Sequence, residues 1–238
     1  MRECSGRRAG FAGTATAAAL KALAWLAAAL CAAAASAAED GGRPANVLII
    51  GDSISIYYTP FVKELLAGKA VVKHSGHAAS TREGLQNIDR FLGDTKWDVI
   101  HFNWGLHDLK ASGTNVPVKD YEKNLRELVA RLRKTGAKLV WATITPAGSA
   151  NPRDDRRTSD IDLYNATALR VMKEEGVLVD DLYAAINPRR SELQNDDHVH
   201  FSEAGSRLLA ASVARSVLSA LGLADGEKAP AGAKARDK

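Results

Sequence analysis

Cysteine is nearly absent from this 238-residue chain, and both cysteines, Cys4 and Cys31, lie within the first 38 residues. Residues 39–238 therefore have no thiol for a disulfide, a metal site or a nucleophile. A fold over these residues must be held together by burial of apolar side chains alone. The segment is long enough for one domain with a sizeable core.

A strong excess of one charge is also missing once the N-terminal segment is set aside. The whole chain has 32 Lys and Arg against 28 Asp and Glu, a net charge of +4. Residues 1–38 contain four of the basic residues and one of the acidic ones, which leaves 28 against 27, or +1, in residues 39–238. Nucleic-acid-binding proteins usually carry a basic patch or stripe. We therefore predict no nucleic-acid partner.

The apolar stretch 22–35 is shorter than the roughly 20 residues that a membrane-spanning helix needs. It follows a basic start that contains Arg2, Arg7 and Arg8, and it ends in the small residues 35–38. This arrangement is typical of a secretory signal peptide. We predict that residues 1–38 are a signal peptide, that the protein has no stable membrane anchor, and that it is exported to the periplasm or the extracellular space.

Large apolar residues are also missing from the C-terminal end. Residues 222–238 consist mostly of Ala, Gly, Lys, Asp and Glu, and Leu223 is their last large apolar residue. Such a composition predicts a disordered tail. The structured domain is predicted to cover residues 45–221.

Five short apolar runs alternate with helical patterns in this domain. The runs are residues 46–50, 70–73, 98–103, 138–143 and 177–180. Nearly continuous apolar runs are typical of strands that are buried on both faces. The intervening segments have apolar residues at helical spacing, and several end at a glycine, as helices often do. This alternation predicts an α/β fold, a three-layer α/β/α sandwich around a five-stranded parallel sheet.

Residues that could take part in catalysis follow four of these strands. Ser53 follows the first, Gly76 the second, residues 105–108 the third, and Asp197 with His200 the fifth. The carboxyl ends of parallel strands share one edge of a sheet, where α/β folds bind their ligands. A serine becomes a nucleophile when an imidazole takes its proton, and a carboxylate can fix the tautomer of that imidazole. The pattern predicts a site for acyl transfer.

Four short motifs resemble blocks I, II, III and V of the SGNH hydrolases, also called the GDSL esterase/lipase family. They are Gly51-Asp52-Ser53-Ile54-Ser55, Ser75-Gly76, Gly105-Leu106-His107-Asp108 and Asp197-His198-Val199-His200. The resemblance implies a flavodoxin-like SGNH hydrolase fold without a cofactor or a metal ion. It also implies that Ser53 is the nucleophile, His200 the base and Asp197 its orienting acid. The backbone N–H groups of Ser53 and Gly76 would be oxyanion-hole donors.

The third block departs from the family pattern. His107 stands where many SGNH enzymes have an asparagine that supplies the third oxyanion-hole donor. A neutral imidazole can donate one N–H, so the role can survive the change. We predict that His107 is this donor and that Asp108 orients it. Asp52 is predicted to support the turn that carries Ser53.

Simpler roles are available for some of these residues. Ser53 could cap the helix that follows it, and Asp197 could cap the last helix, although Ser202 is better placed for that. His198 and His200 have the spacing of a His-x-His metal pair, but a zinc site would need a third ligand. The complete set of motifs favours catalysis by Ser53, His200 and Asp197 over these roles.

The resemblance implies a serine esterase that hydrolyses a short-chain acyl ester, such as an acetyl ester, through an acyl-enzyme. Its substrate is expected to be a small-molecule or carbohydrate ester, because the polar segment 146–160 after the fourth strand can border the site. Three alternatives stay open: a non-catalytic carbohydrate- or peptidoglycan-binding module, an O-acyltransferase and a thioesterase. A nucleotide-binding domain is disfavoured, since the chain has no Gly-x-Gly-x-x-Gly or Walker motif. The pattern does not indicate an oligomeric state.

Overall fold

The computed structural model describes residues 43–110, 115–148 and 156–223. The predicted signal peptide and residues 224–238 of the predicted tail lie outside these ranges. Within them, the chain forms five strands and seven α-helices. The strands are β1 (Ala45–Gly51), β2 (Ala70–His77), β3 (Val99–Phe102), β4 (Lys138–Ala142) and β5 (Leu178–Asp180). The helices are α1 (Ser53–Leu65), α2 (Thr81–Leu92), α3 (Val118–Arg133), α4 (Thr158–Glu174), α5 (Leu182–Ile186), α6 (Arg190–Leu193) and α7 (Glu203–Leu221).

All five strands are parallel, and their order across the sheet is β2-β1-β3-β4-β5. Helices α1 and α7 pack against each other in one layer, and α3 packs between α2 and α4 in the other. The predicted α/β fold with a five-stranded parallel sheet is therefore confirmed. The central strands β1 and β3 are apolar because helices cover both of their faces.

The structure changes three local details of the predicted elements. Strand β2 pairs with β1 as far as His77, so Gly76 lies inside the strand rather than after it. A register shift accompanies this extension, and Gly76 has φ 86°, a conformation that favours glycine. Helix α4 starts at Thr158, inside the predicted polar loop. Gly222 and Leu223 cap α7, so these first two residues of the predicted tail are part of its helix end.

The core is formed by the sheet and the inward faces of the helices. Its largest fully buried side chains include Trp104, Trp141, Tyr58 and Tyr121. Among the described residues, no helix has both the length and the apolar character needed to cross a membrane.

The sheet order places a crevice at the carboxyl ends of β1 and β3. From β1 the chain moves to β2 on one side, whereas β3 lies on the other side and leads on to β4 and β5. In open α/β sheets, ligands bind at such a reversal of strand order. The turn that carries Ser53 and the loop that carries His107 both begin there.

Candidate active site

Ser53 is the first residue of α1, and Asp52 caps this helix. The Asp52 carboxylate accepts a hydrogen bond from the N–H of Ile54 at 3.0 Å. Ser53 is therefore not the cap, and its hydroxyl is available for other contacts. Its backbone N–H has no hydrogen-bond partner among the described residues, as is usual in the first turn of a helix. The predicted support of this turn by Asp52 takes the form of a cap.

Asp197 and His200 lie on one tight turn between α6 and α7. Gln194 and Phe201 form an antiparallel bridge at the base of this turn, and Asn195 N–H donates to the His200 carbonyl. One carboxylate oxygen of Asp197 accepts from the N–H groups of Val199 and His200, at 2.9 and 2.8 Å. The carboxylate therefore fixes the backbone of the residue whose side chain it also contacts. Ser202, as predicted, caps α7.

Three side chains form a continuous hydrogen-bonded series. Ser53 Oγ lies 2.7 Å from His200 Nε2, and His200 Nδ1 lies 2.5 Å from Asp197 Oδ2. An ionised carboxylate only accepts hydrogen bonds, so Nδ1 carries the proton and Nε2 is left to accept from the serine. Burial acts to raise the pKa of Asp197, but hydrogen bonds from His200 and Val199 outweigh it and lower the pKa. The carboxylate thus stays ionised next to the imidazole.

A second histidine joins the turn of Ser53 to the strand that carries Gly76. The N–H of Gly76 donates to His74 Nδ1 at 3.0 Å, and His74 Nε2 lies 2.7 Å from Ser55 Oγ. Ser55 in turn donates to the Asp52 carbonyl. Burial lowers the pKa of His74 to about 4, so its ring is neutral at neutral pH.

This contact matters for the predicted oxyanion-hole role of Gly76. Its N–H already has an acceptor, so an oxyanion would have to replace His74 Nδ1. Sequence reasoning missed both His74 and Ser55, whose positions are 19 residues apart. The presence of a histidine two residues before Gly76 was the available signal.

His107 lies on the loop after β3, with its ring edge against the ring of His77 at a centroid distance of 4.8 Å. Burial is the main cause that lowers the pKa of His107, and the neighbouring His77 acts in the same direction. The imidazole is therefore neutral at neutral pH and can donate a single N–H.

Asp108 is fully buried, and its carboxylate accepts hydrogen bonds from Thr81. The Thr81 N–H donates at 3.0 Å and the Thr81 hydroxyl at 2.5 Å. Asp108 is predicted to orient the His107 ring. Its carboxylate instead accepts hydrogen bonds from Thr81, at the start of α2. Asp108 therefore supports the site through the loop backbone. Burial raises its pKa to about 6.

A family model described as the GDSL-like Lipase/Acylhydrolase family matches residues 49–208, which include all of the residues discussed above. The chain belongs to this family. It is thus an SGNH hydrolase, a class of enzyme that acts on ester bonds.

Solved structures share the fold of this GDSL-like hydrolase. A lipase/acylhydrolase from Enterococcus faecalis has a TM-score of 0.67 at 23% identity, covering 78% of this chain and 100% of that one. An acetylxylan esterase from Geobacillus stearothermophilus has 0.61 at 20% identity, covering 78% and 99%. A further acetyl xylan esterase has 0.61 at 19% identity, covering 71% and 97%. At these identities the likeness shows the fold alone. No curated protein sequence matches the chain.

Two kinds of space border the site of the GDSL-like hydrolase. A cavity of about 20 Å³ lies at the end of the sheet, next to the turn of Ser53, and its lining includes Ile54, Leu106 and Ile144. A larger groove of about 410 Å³ lies on the side of His200. In the described part of the chain, no group of three His, Cys, Asp or Glu side chains could hold a metal ion. The His198 and His200 pair therefore has no third ligand there.

Proposed function

We propose that this protein is a serine esterase that hydrolyses short-chain acyl esters, acetyl esters in particular, on a carbohydrate alcohol. The observation that carries the proposal is the hydrogen-bonded series from Ser53 through His200 to Asp197. Its order and tautomer are those that acyl transfer by a serine requires.

The reaction follows from this geometry. Ser53 Oγ attacks the ester carbonyl while His200 Nε2 takes the hydroxyl proton, and Asp197 stabilises the imidazolium that forms. The Ser53 N–H and the His107 ring donate to the oxyanion, and the Gly76 N–H does so once the oxyanion has replaced His74 Nδ1 as its acceptor. His200 then returns the proton to the alcohol as the ester bond breaks. Water attacks the acyl-enzyme in a second cycle of the same steps, which releases the acid and restores Ser53.

Two observations support a short acyl group and a sugar alcohol. The cavity lined by Asp52, Ile54 and Ser55, the neighbours of Ser53 along the chain, has room for a water molecule or a methyl group but not for an alkyl chain. Two of the solved structures that share the fold are acetylxylan esterases. Acetylated carbohydrate is therefore the substrate class we propose, with export directed by residues 1–38.

A fluorophosphonate probe tests the nucleophile directly. We expect labelling of one serine per chain, located at Ser53 by mass spectrometry, together with release of acetate from phenyl acetate. Ser53→Ala should abolish both, whereas Ser191→Ala, at an exposed serine on α6, should leave both intact. A folded protein that neither reacts with the probe nor releases acetate would overturn the proposal in favour of a non-catalytic module. Transfer of the acetyl group to an added sugar in preference to water would instead identify an acyltransferase.

A further inference from the structure

Tyr57 is an exposed aromatic residue beside the proposed base. It lies four residues after Ser53 on α1, so both side chains are on the same side of the helix. Its ring meets the His200 ring edge-to-face at a centroid distance of 5.4 Å, yet the residue is 54% exposed. A single exposed tyrosine is ordinary in itself. This tyrosine differs because its ring contacts the ring of the proposed base, His200.

The direction of proton transfer decides which part of an ester lies there. His200 Nε2 must protonate the oxygen of the leaving alcohol, so the alcohol has to lie on the His200 side of Ser53. On that side is the groove of about 410 Å³, which Tyr57 lines together with Asp197 and His200. This groove borders the proposed base that would protonate the leaving alcohol, and we call it the alcohol groove.

The alcohol groove combines aromatic surface with polar side chains. Phe61 and Phe201 line it along with Tyr57, and Asn195 and Ser206 contribute an amide and a hydroxyl. Neither of these two side chains has a hydrogen-bond partner among the described residues. Sugars present C–H groups on their ring faces and hydroxyls at their edges, so they need apolar rings and free hydrogen-bonding groups together.

Tyr57 offers the open ring face in the alcohol groove. The ring of Phe61 is covered by the guanidinium of Arg207, at 4.1 Å from its centroid, and Phe201 is buried. Arg207 is itself paired with Glu203 and Glu64. Carboxylates thus outnumber cations around the groove in the described residues, which disfavours an anionic alcohol.

From these observations, and resting on the proposed esterase function, we propose that the alcohol groove binds a neutral sugar and that Tyr57 is the platform on which its ring stacks. The substrate class is an acyl ester of a neutral pyranose. Tyr57 is then a binding residue that sets the choice of alcohol.

Binding without turnover is the first test. Xylotetraose, a neutral sugar without an acyl group, is titrated by calorimetry into the full chain carrying Ser53→Ala. Adding Tyr57→Ala should weaken binding at least tenfold, whereas Tyr57→Trp should keep it. Ile56→Ala is the matched control, since Ile56 is the exposed neighbour on α1 and does not line the groove. An oligomer of galacturonic acid should bind at least tenfold more weakly than xylotetraose.

Turnover separates a platform from a positioning role. In the otherwise unchanged protein, Tyr57→Ala should lower kcat/KM for acetylated xylo-oligosaccharide at least tenfold more than kcat/KM for ethyl acetate, mainly through KM. Equal losses on both esters would mean that Tyr57 acts by holding His200, and would overturn the platform. Ester turnover without any xylotetraose binding would overturn the proposal and leave the esterase function standing. Xylotetraose binding that depends on Tyr57, in a protein without ester turnover, would support the platform and overturn the esterase function.

Discussion

At the scale of single residues, the proposed third oxyanion-hole donor is an imidazole, that of His107. An amide donates whatever the pH, whereas His107, as the proposed donor, offers a single N–H because burial keeps its ring neutral. The ring of His77 packs against it in an edge-to-face contact. The proposed donor therefore lies between the loop after β3 and the end of strand β2.

Replacing His107 tests this donor. His107→Ala should lower kcat for phenyl acetate by about a hundredfold, since loss of one oxyanion-hole donor has an effect of that order. His107→Asn should recover most of that loss because its amide can donate from a similar position. Steady-state kinetics give the comparison, with Ser191→Ala, at an exposed serine on α6, as the control. Full activity in His107→Ala would refute the role.

At the scale of elements, the loop after β3 is anchored to the start of α2 by a buried carboxylate. Asp108 accepts from the backbone and the hydroxyl of Thr81. The same helix start is closed by a capping box between Ser80 and Glu83. Loop and helix therefore form one unit, and the position of His107 depends on it.

The raised pKa of Asp108 predicts how this unit responds to pH. In the unfolded chain the carboxyl titrates near 3.8, and in the folded protein near 6. The folded state holds the proton more tightly, so the contribution of Asp108 to stability is greatest below the lower pKa and is lost as pH rises through the higher one. The difference in free energy of unfolding between wild type and Asp108→Asn should fall by about 2 kcal/mol from pH 4 to pH 7. Urea unfolding measures it, and a difference that rises with pH would contradict the prediction.

At the scale of the whole molecule, a cluster of buried polar side chains links β3, β5 and α7. His101 in β3 pairs with Asp180 in β5 at 3.0 Å, and both are almost completely buried. Ser212 and Ser216 of α7 donate to the same carboxylate. Burial acts to raise the pKa of Asp180, but these partners lower it overall. The cluster ties two strands to the helix that follows the His200 turn.

Removing one partner of this pair should reduce the free energy of unfolding more than removing both. His101→Leu leaves Asp180 buried without its imidazole and should reduce the free energy of unfolding by about 3 kcal/mol. Adding Asp180→Leu removes the stranded carboxylate, so the double variant should be more stable than His101→Leu alone. Urea unfolding of the four proteins in the cycle tests this order. Simple additivity of two destabilising changes would show that the pair is not coupled.

The patterns with a local cause were predictable from sequence. Apolar runs indicated β1 and β3, and the motif spacing brought Ser53, Asp197 and His200 to one edge of the sheet, where the structure has them in contact. The pairing of Asp108 with Thr81 and of His74 with Gly76 was not foreseen. Such contacts depend on how two loops approach each other in three dimensions, and no periodicity or spacing in the chain records that approach.

The turn that carries Asp197 and His200 has a consequence for how the site is assembled. One of its two key hydrogen bonds lies within four residues, while the other joins positions 147 apart. The imidazole is thus aligned by its own turn, and a single long-range hydrogen bond with Ser53 completes the series of three side chains, so the entropy of closing a long loop opposes the formation of this series only once. We expect a molecule in which the turn has formed but has not docked on α1 to be inactive. The proposed activity therefore reports on this one tertiary contact as well as on the turn itself.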